Sequence, residues 1–324
     1  MRKGRNNLIT DVKGVKVGHC TLSQGDIQTG VTVILPHEHN IFQNKYVAAS
    51  HVINGFGKTT GLIQINELGT LESPITLTNT LSVGIVQQAI VKYMLSLNED
   101  IGSTTGTINV VVGECNDMTL NDIRQCVIQE KHVYQAIENA NTFFEQGAVG
   151  AGRGMCCFEM KGGIGSSSRI LTLDNHEYTI GVLVLSNFGL MNDFIPFSLT
   201  QGEKEEEQGS IIMIIACDIP LSSRQLQRVC KRMSIPLGRL GSHMGNGSGD
   251  IVIAFSTAQE IPHYSTCDIL SIKQVHENCM DKVFRGAIEA CEEAILNSLN
   301  YAKTTTGKNG KIVYSREDIE NEKI

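Results

Sequence analysis

The stretch "GRLGSHMGNGSGDIVIAFST", from Gly238 to Thr257, changes character in the middle. No bulky side chain lies between Gly245 and Gly249, and the chain then runs through Asp250 into Ile251, Val252, Ile253, Ala254 and Phe255. That apolar run reads as a buried strand. Ser248 stands at its threshold, between two glycines that tolerate unusual backbone angles and let other groups approach the main chain closely. Taken alone, Gly-Ser-Gly is a turn. It also suits a strained reactive bond: the Ser248 hydroxyl attacks the Gly247 carbonyl, the chain breaks, and Ser248 becomes an N-terminal nucleophile whose own amine is the general base. A nucleophile elbow of the GxSxG kind leads into a helix, whereas a strand follows here, so the α/β-hydrolase reading is disfavoured.

Outward from this stretch, further short apolar runs recur: "GVTVIL" at 30–35, "INVVVG" at 108–113, "IGVLVLS" at 180–186 and "IIMIIA" at 211–216. Each is apolar on both faces, as strands covered on both sides are. Helical patterns lie between them, at 82–95 and at 222–235, the latter opening on serines suited to capping. The clearest helix runs from about His276 to Tyr301, where Met280, Val283, Phe284, Ala287, Cys291, Ala294, Ile295 and Ser298 form one stripe that packs on a sheet. Strands covered by helices, in an α+β or layered α/β order, are the expected architecture. "GEKEEEQGS" at 202–210 reads as a surface loop, and residues 304–324 as a polar, loosely held tail. "GAVGAGRG" at 147–154 superficially matches a dinucleotide loop, but no clean strand precedes it and no helix follows, which favours close packing or a substrate wall.

The composition excludes several classes. The chain has 324 residues, 41% of them hydrophobic and 19% charged, enough for a substantial core. Its net charge of -7, with scattered basic residues apart from "MRKGR" at the start, argues against nucleic acid as a partner. The sequence shows no apolar run of membrane-helix length and no signal-peptide core, so a soluble cytoplasmic protein is expected, with no membrane partner. Ten cysteines are spread from Cys20 to Cys291 without a CxxC pair, and nine histidines without HExxH. That pattern fits reduced thiols and leaves the metal reading weak, so no metal and no cofactor are expected.

Taken together, "GVKVGH" (14–19), "TGVTVILP" (29–36), "NGFGKTTGL" (54–62), "ESPITLTNTLSVG" (72–84), "VVGECNDMTLNDI" (111–123), "GAGRGMCCFEMKGGIGSSSR" (150–169), "IGVLVLSNFG" (180–189), "GNGSGDIVIAFST" (245–257) and "EACEEAILNSL" (289–299) resemble the L-aminopeptidase/D-esterase family. That family also includes D-aminopeptidases and β-peptidyl aminopeptidases. The blocks occur in family order over nearly the whole chain, up to about residue 300.

The resemblance implies a self-processing N-terminal-nucleophile hydrolase. Its fold would be a layered αββα sandwich of two central β-sheets covered by helices, shared with the ornithine acetyltransferases. A single catalytic domain, 1–303, would be cut between Gly247 and Ser248 into fragments 1–247 and 248–324 that stay together. Ser248 would attack the substrate carbonyl. Asn187, in "SNFG", matches the asparagine that stabilises the oxyanion, a role suited to an amide that donates without adding charge. Glu114, in "GEC", matches the carboxylate that receives the substrate's ammonium group. Cys291 and Glu293 map onto a hydroxyl residue and a glutamate near the nucleophile, with Glu292 as the competing acid. Periodicity alone places Glu293 opposite the apolar stripe, on a solvated helix face. Asn116 stands where some relatives carry a tyrosine, and Cys291 where the family has Ser or Thr, a weaker donor.

The expected substrates are short peptides, amino-acid amides or esters with a free amino terminus, and a homo-oligomer is expected. Two alternatives stand beside this reading. One is an acyltransferase of the ornithine acetyltransferase type, against which the serine in "GNGSGD" weighs, since those enzymes use threonine. The other is an uncleaved, non-catalytic homologue.

Overall fold

The computed structural model describes residues 1–196 and 208–322. Most of the charged excursion expected at 202–210 lies outside the described residues.

The first half of the chain builds β1 (Lys16–Gln24), β2 (Ile27–Leu35), β3 (Asn44–Gly55), α1 (Leu62–Leu68), β4 (Thr70–Leu71), β5 (Ile75–Asn79), α2 (Val83–Leu97), β6 (Val111–Cys115) and α3 (Glu130–Glu138). A two-stranded turn, β7 (Cys156–Cys157) with β8 (Met160–Lys161), leads into the long strands β9 (Gly163–Leu173), β10 (His176–Asn187) and β11 (Gln208–Cys217). Then come α4 (Ser223–Cys230), α5 (Ser234–Leu240), β12 (Gly247–Pro262), α6 (Met280–Asn300), β13 (Thr305–Thr306), β14 (Ile312–Val313) and α7 (Arg316–Glu322).

Two sheets form, one in the order β1-β2-β5-β6 and one in the order β4-β3-β12-β11-β10-β9. The alternation of apolar residues explains the layering. On β11, Ile212, Ile214 and Ala216 join the core shared with the four-stranded sheet, while Ile211, Met213, Ile215 and Cys217 join a second core on the opposite face. On β12, Ile251, Ile253 and Phe255 belong to the first core and Val252 and Ala254 to the second. Every position is buried, as in a strand covered on both sides. Helices α2 and α3 cover the smaller sheet; α4, α5 and α6 cover the larger. The result is the αββα sandwich.

All the apolar runs singled out in the sequence contribute to strands. The long terminal helix forms as α6, its stripe from Met280 to Leu299 turned to the sheet. Ser222 caps α4, its hydroxyl accepting from the Gln225 N–H at 3.3 Å.

Two expectations are corrected. Residues 304–322 are not a loose tail: β13 pairs with β14, the Lys308 N–H donates to the Leu120 carbonyl at 2.7 Å, and Tyr314 accepts from the Lys161 N–H at 2.7 Å. Polar composition hid this because the segment is held by main-chain bonds. At the other end of the chain, the Met1 ammonium pairs with Glu289 and Lys3 with Glu293. Finally, Thr80–Leu97 is long and apolar enough to cross a membrane by length and composition. Its Val83, Val86, Ala89, Ile90 and Met94 are instead spent on the core.

Candidate active site

Ser248 is the second residue of β12, fully buried and lying opposite Gly209 of the parallel strand β11. Its N–H donates to the Gly245 carbonyl at 2.9 Å, closing a turn over 245–248. Asn54, at the end of β3, clamps that turn through Nδ2, which donates to the carbonyls of Gly245 at 2.8 Å and Ser248 at 2.5 Å. A register shift in β3 between its pairings with Asp250 and Ile251 marks a bulge beside the site, a device that re-aims side chains. Gly249 is required sterically: a Cβ there would lie 2.6 Å from the Phe56 carbonyl oxygen.

The Ser248 hydroxyl donates to Asp250 Oδ1 at 2.7 Å, and Asp250 is 1% exposed. Two residues apart on a strand, the two side chains share one face. Asp250 was given no role from the sequence, although that spacing was the signal for it.

Gly247 lines a cleft of about 880 Å³ at this end of the sandwich, one residue before the fully buried Ser248. Glu114, Asn116 and Asn187 line the same cleft. Glu114 ends β6, and its buried carboxylate accepts from the Lys58 N–H at 2.8 Å and from the Thr80 hydroxyl. Asn187 ends β10, paired with Ser210. Since β11 alone separates β10 from β12, Asn187 sits two strand spacings, roughly 10 Å, from Ser248 across the sheet. Asn187 Oδ1 accepts from the Cys156 N–H at 2.9 Å, and Nδ2 donates to the Asn116 carbonyl at 3.0 Å. The Asn116 side chain accepts from the Met118 N–H at 3.0 Å, capping its own loop.

The structure does not bring Cys291 and Glu293 to this cleft. Cys291 is fully buried in the core between α6 and the larger sheet, and burial pushes its thiol well up. Glu293 accepts from Arg169 Nη2 at 2.6 Å, Lys3 Nζ at 2.5 Å and Asn7 Nδ2 at 2.8 Å. Burial works to raise its pKa, but these donors outweigh burial and hold it below the usual carboxylate value. Arg169 aligns through Ile180 and Cys217 with Ser256, eight residues along β12 from Ser248. That offset is about 25 Å of strand. The competing Glu292 pairs with Arg239 at 2.9 Å. Both acids are thus held in ion pairs away from the cleft.

Other groups at the cleft were not singled out from the sequence. Lys58 and Lys311 supply cations, Glu159 an acid, and Ile312, Val313, Tyr314 and Ile319 form a wall from the C-terminal segment. The glycine run at 147–154 serves close packing: a Cβ on Gly152 would lie 2.6 Å from the Ile164 nitrogen. Among the described residues, no three His, Cys, Asp or Glu side chains gather to hold a metal ion.

With this geometry established, comparison with known proteins places the chain among hydrolases. The sequence profile of peptidase family S58 matches residues 7–313. The chain is 35% identical over 341 residues to the β-peptidyl aminopeptidase BapA of Sphingosinicella microcystinivorans, covering 95% of this chain and 85% of that protein. Among solved structures it is similar to the PH0078 protein of Pyrococcus horikoshii OT3, with a TM-score of 0.93 and 48% identity over 100% of this chain and 94% of that one. It is also similar to the L-aminopeptidase D-Ala-esterase/amidase of Ochrobactrum anthropi, with a TM-score of 0.88 and 31% identity over 99% and 96% of the two chains. The latter is described as a prototype serine aminopeptidase and a new variant of the N-terminal-nucleophile hydrolase fold.

Proposed function

The chain belongs to peptidase family S58 and is a hydrolase of the serine aminopeptidase type, and from that premise we propose that Ser248, freed by cleavage of its own Gly247–Ser248 bond, is the nucleophile. The observation that carries this reading is the buried Ser248–Asp250 hydrogen bond of 2.7 Å directly behind Gly247 at the cleft.

In the uncut chain Asp250 takes the hydroxyl proton as Oγ attacks the Gly247 carbonyl carbon. The C–N bond breaks, the Ser248 nitrogen takes a proton, and Gly247 is left as an ester on Oγ. Water hydrolyses that ester, leaving a carboxylate on Gly247 and a free amine on Ser248. In the processed enzyme the α-amine becomes the general base, Oγ attacks the substrate carbonyl, and an acyl-Ser248 ester forms and is hydrolysed. Asn187 Nδ2 donates to the oxyanion. Glu114 binds the substrate's ammonium group and restricts the enzyme to free amino termini, since an acylated amine brings no cation to this buried carboxylate.

Substrates are short peptides, amino-acid amides or esters, and the names of the relatives make β-amino-acid peptides and D-alanine esters the first to screen. Assembly into a homo-oligomer belongs to the same proposal; exposed Ile63, Leu68, Leu81 and Ile85 offer apolar surface for it, and light scattering tests it. The nucleophile is tested by comparing wild type with Ser248→Ala on amino-acid p-nitroanilides. Loss of both hydrolysis and self-cleavage is expected; retained hydrolysis by Ser248→Ala refutes the assignment.

A further inference from the structure

Lys161, in β8, is fully buried, yet among the described residues it forms no ion pair. Its Nζ donates instead to three backbone carbonyls: Gly152 at 3.0 Å, Met155 at 2.6 Å and Gly162 at 2.7 Å. Burying an ammonium on neutral acceptors alone is costly. Burial accordingly pulls its pKa down from the ordinary lysine value to about 7. An apolar side chain would fill the same space without that cost, so the charge calls for an explanation beyond packing.

The explanation lies across one peptide bond. The Met155 carbonyl that receives Lys161 belongs to the same peptide unit as the Cys156 N–H, and that N–H donates to Asn187 Oδ1 at 2.9 Å. A cation on the carbonyl polarises the unit and strengthens its N–H as a donor. An amide whose oxygen is held has only one place for its NH2, and the two ends of an asparagine are otherwise nearly interchangeable in shape. The Gly162 N–H also returns to the Met155 carbonyl at 3.1 Å, and the Phe158 N–H donates to the Phe188 carbonyl at 2.6 Å, so the loop carrying this peptide is fixed at both sides.

We propose that Lys161 is a positioning residue for the oxyanion contact: through the Met155–Cys156 peptide it holds Asn187 with its NH2 toward the cleft and strengthens it as a donor. This rests on the reading of Asn187 as the oxyanion donor, and the test separates the two. Turnover and KM are measured for wild type, Lys161→Met, Asn187→Ala and the double variant, each incubated until self-cleavage is complete and checked for native circular dichroism.

Lys161→Met is expected to lower kcat by on the order of 10- to 100-fold, the loss typical of a slightly misplaced group, with KM little changed. In the Asn187→Ala background the same substitution has almost no further effect on kcat, because coupled residues are not additive. Fully multiplicative losses, or a loss carried by KM, overturn the relay and leave the role of Asn187 standing. Wild-type turnover in Asn187→Ala overturns the oxyanion reading and the relay with it. If Lys161→Met does not fold, Lys161→Gln, which keeps hydrogen bonds to the carbonyls without the charge, enters the same cycle and is judged by the same non-additivity.

Discussion

Replacing Asp250 with asparagine isolates one proton transfer. The side chain keeps its volume and an oxygen that can accept the Ser248 hydroxyl at the 2.7 Å position, so β12 and the 245–248 turn are expected to hold. What is lost is the capacity to take the proton. A positioned general base contributes about 10²–10⁴-fold. Ser248 is 0% exposed and Asp250 1%, so bulk water has no access to replace it. Self-cleavage of Asp250→Asn should therefore slow by at least about 100-fold, roughly 2.7 kcal/mol of activation free energy. The assay follows conversion of the freshly purified full-length chain into two fragments by intact mass over time. Maturation of Asp250→Asn at the wild-type rate would refute the assignment. Once cut, the variant should turn over substrate much as wild type does, since the freed α-amine then carries the proton.

Two further substitutions and one truncation probe the remaining contacts. Glu114→Gln should weaken binding of free-amine substrates by on the order of 10- to 100-fold, the scale of a lost charge-assisted contact, while leaving self-cleavage intact; equal kcat/KM of the wild type for amine-bearing and N-acetylated substrates would contradict the ammonium site. Glu293→Gln should leave kcat unchanged and lower the unfolding free energy by about 1–2 kcal/mol, because it removes the charge opposite the mostly buried Arg169, which keeps Glu289 at 3.6 Å and two backbone carbonyls as partners; a selective loss of turnover in a fully stable variant would return Glu293 to the catalytic machinery. Removing residues 304–324 should raise KM for small peptides by about tenfold or more through loss of the Ile312–Tyr314 wall; unchanged KM would mean that this segment does not shape the substrate site.

Much of the fold was legible because it rests on burial. Runs such as Ile211 to Ala216 are apolar on both faces, and that pattern belongs to strands between two layers. The stripe of α6 was equally plain. What escaped was held by main-chain bonds, which leave no mark in composition: the β13–β14 segment is polar yet closes one wall of the cleft, and Lys161 finds its partners in backbone carbonyls. At the site, Ser248, Asn187 and Glu114 were singled out only through the order of whole motifs, since a serine between glycines is by itself an ordinary turn, and the structure gathers Asn187 and Glu114 at the cleft that Gly247 lines. The same alignment of motifs pointed to Cys291 and Glu293, which the structure keeps away from the cleft. There the helical periodicity, which set Glu293 off the apolar stripe, was the better guide, and Arg169 on β9 supplies the partner that periodicity cannot name. Asp250 shows the converse: its i+2 spacing from Ser248 was visible, but the importance of a shared strand face emerged only with Gly247 placed at the cleft.

The central claim is that Ser248 becomes an N-terminus. Intact-mass spectrometry of the purified wild-type protein under denaturing conditions tests it most directly. Two fragments, residues 1–247 and 248–324, are predicted, with the smaller beginning at Ser248. A single stable chain of all 324 residues in an enzyme that nonetheless hydrolyses amino-acid amides would contradict it.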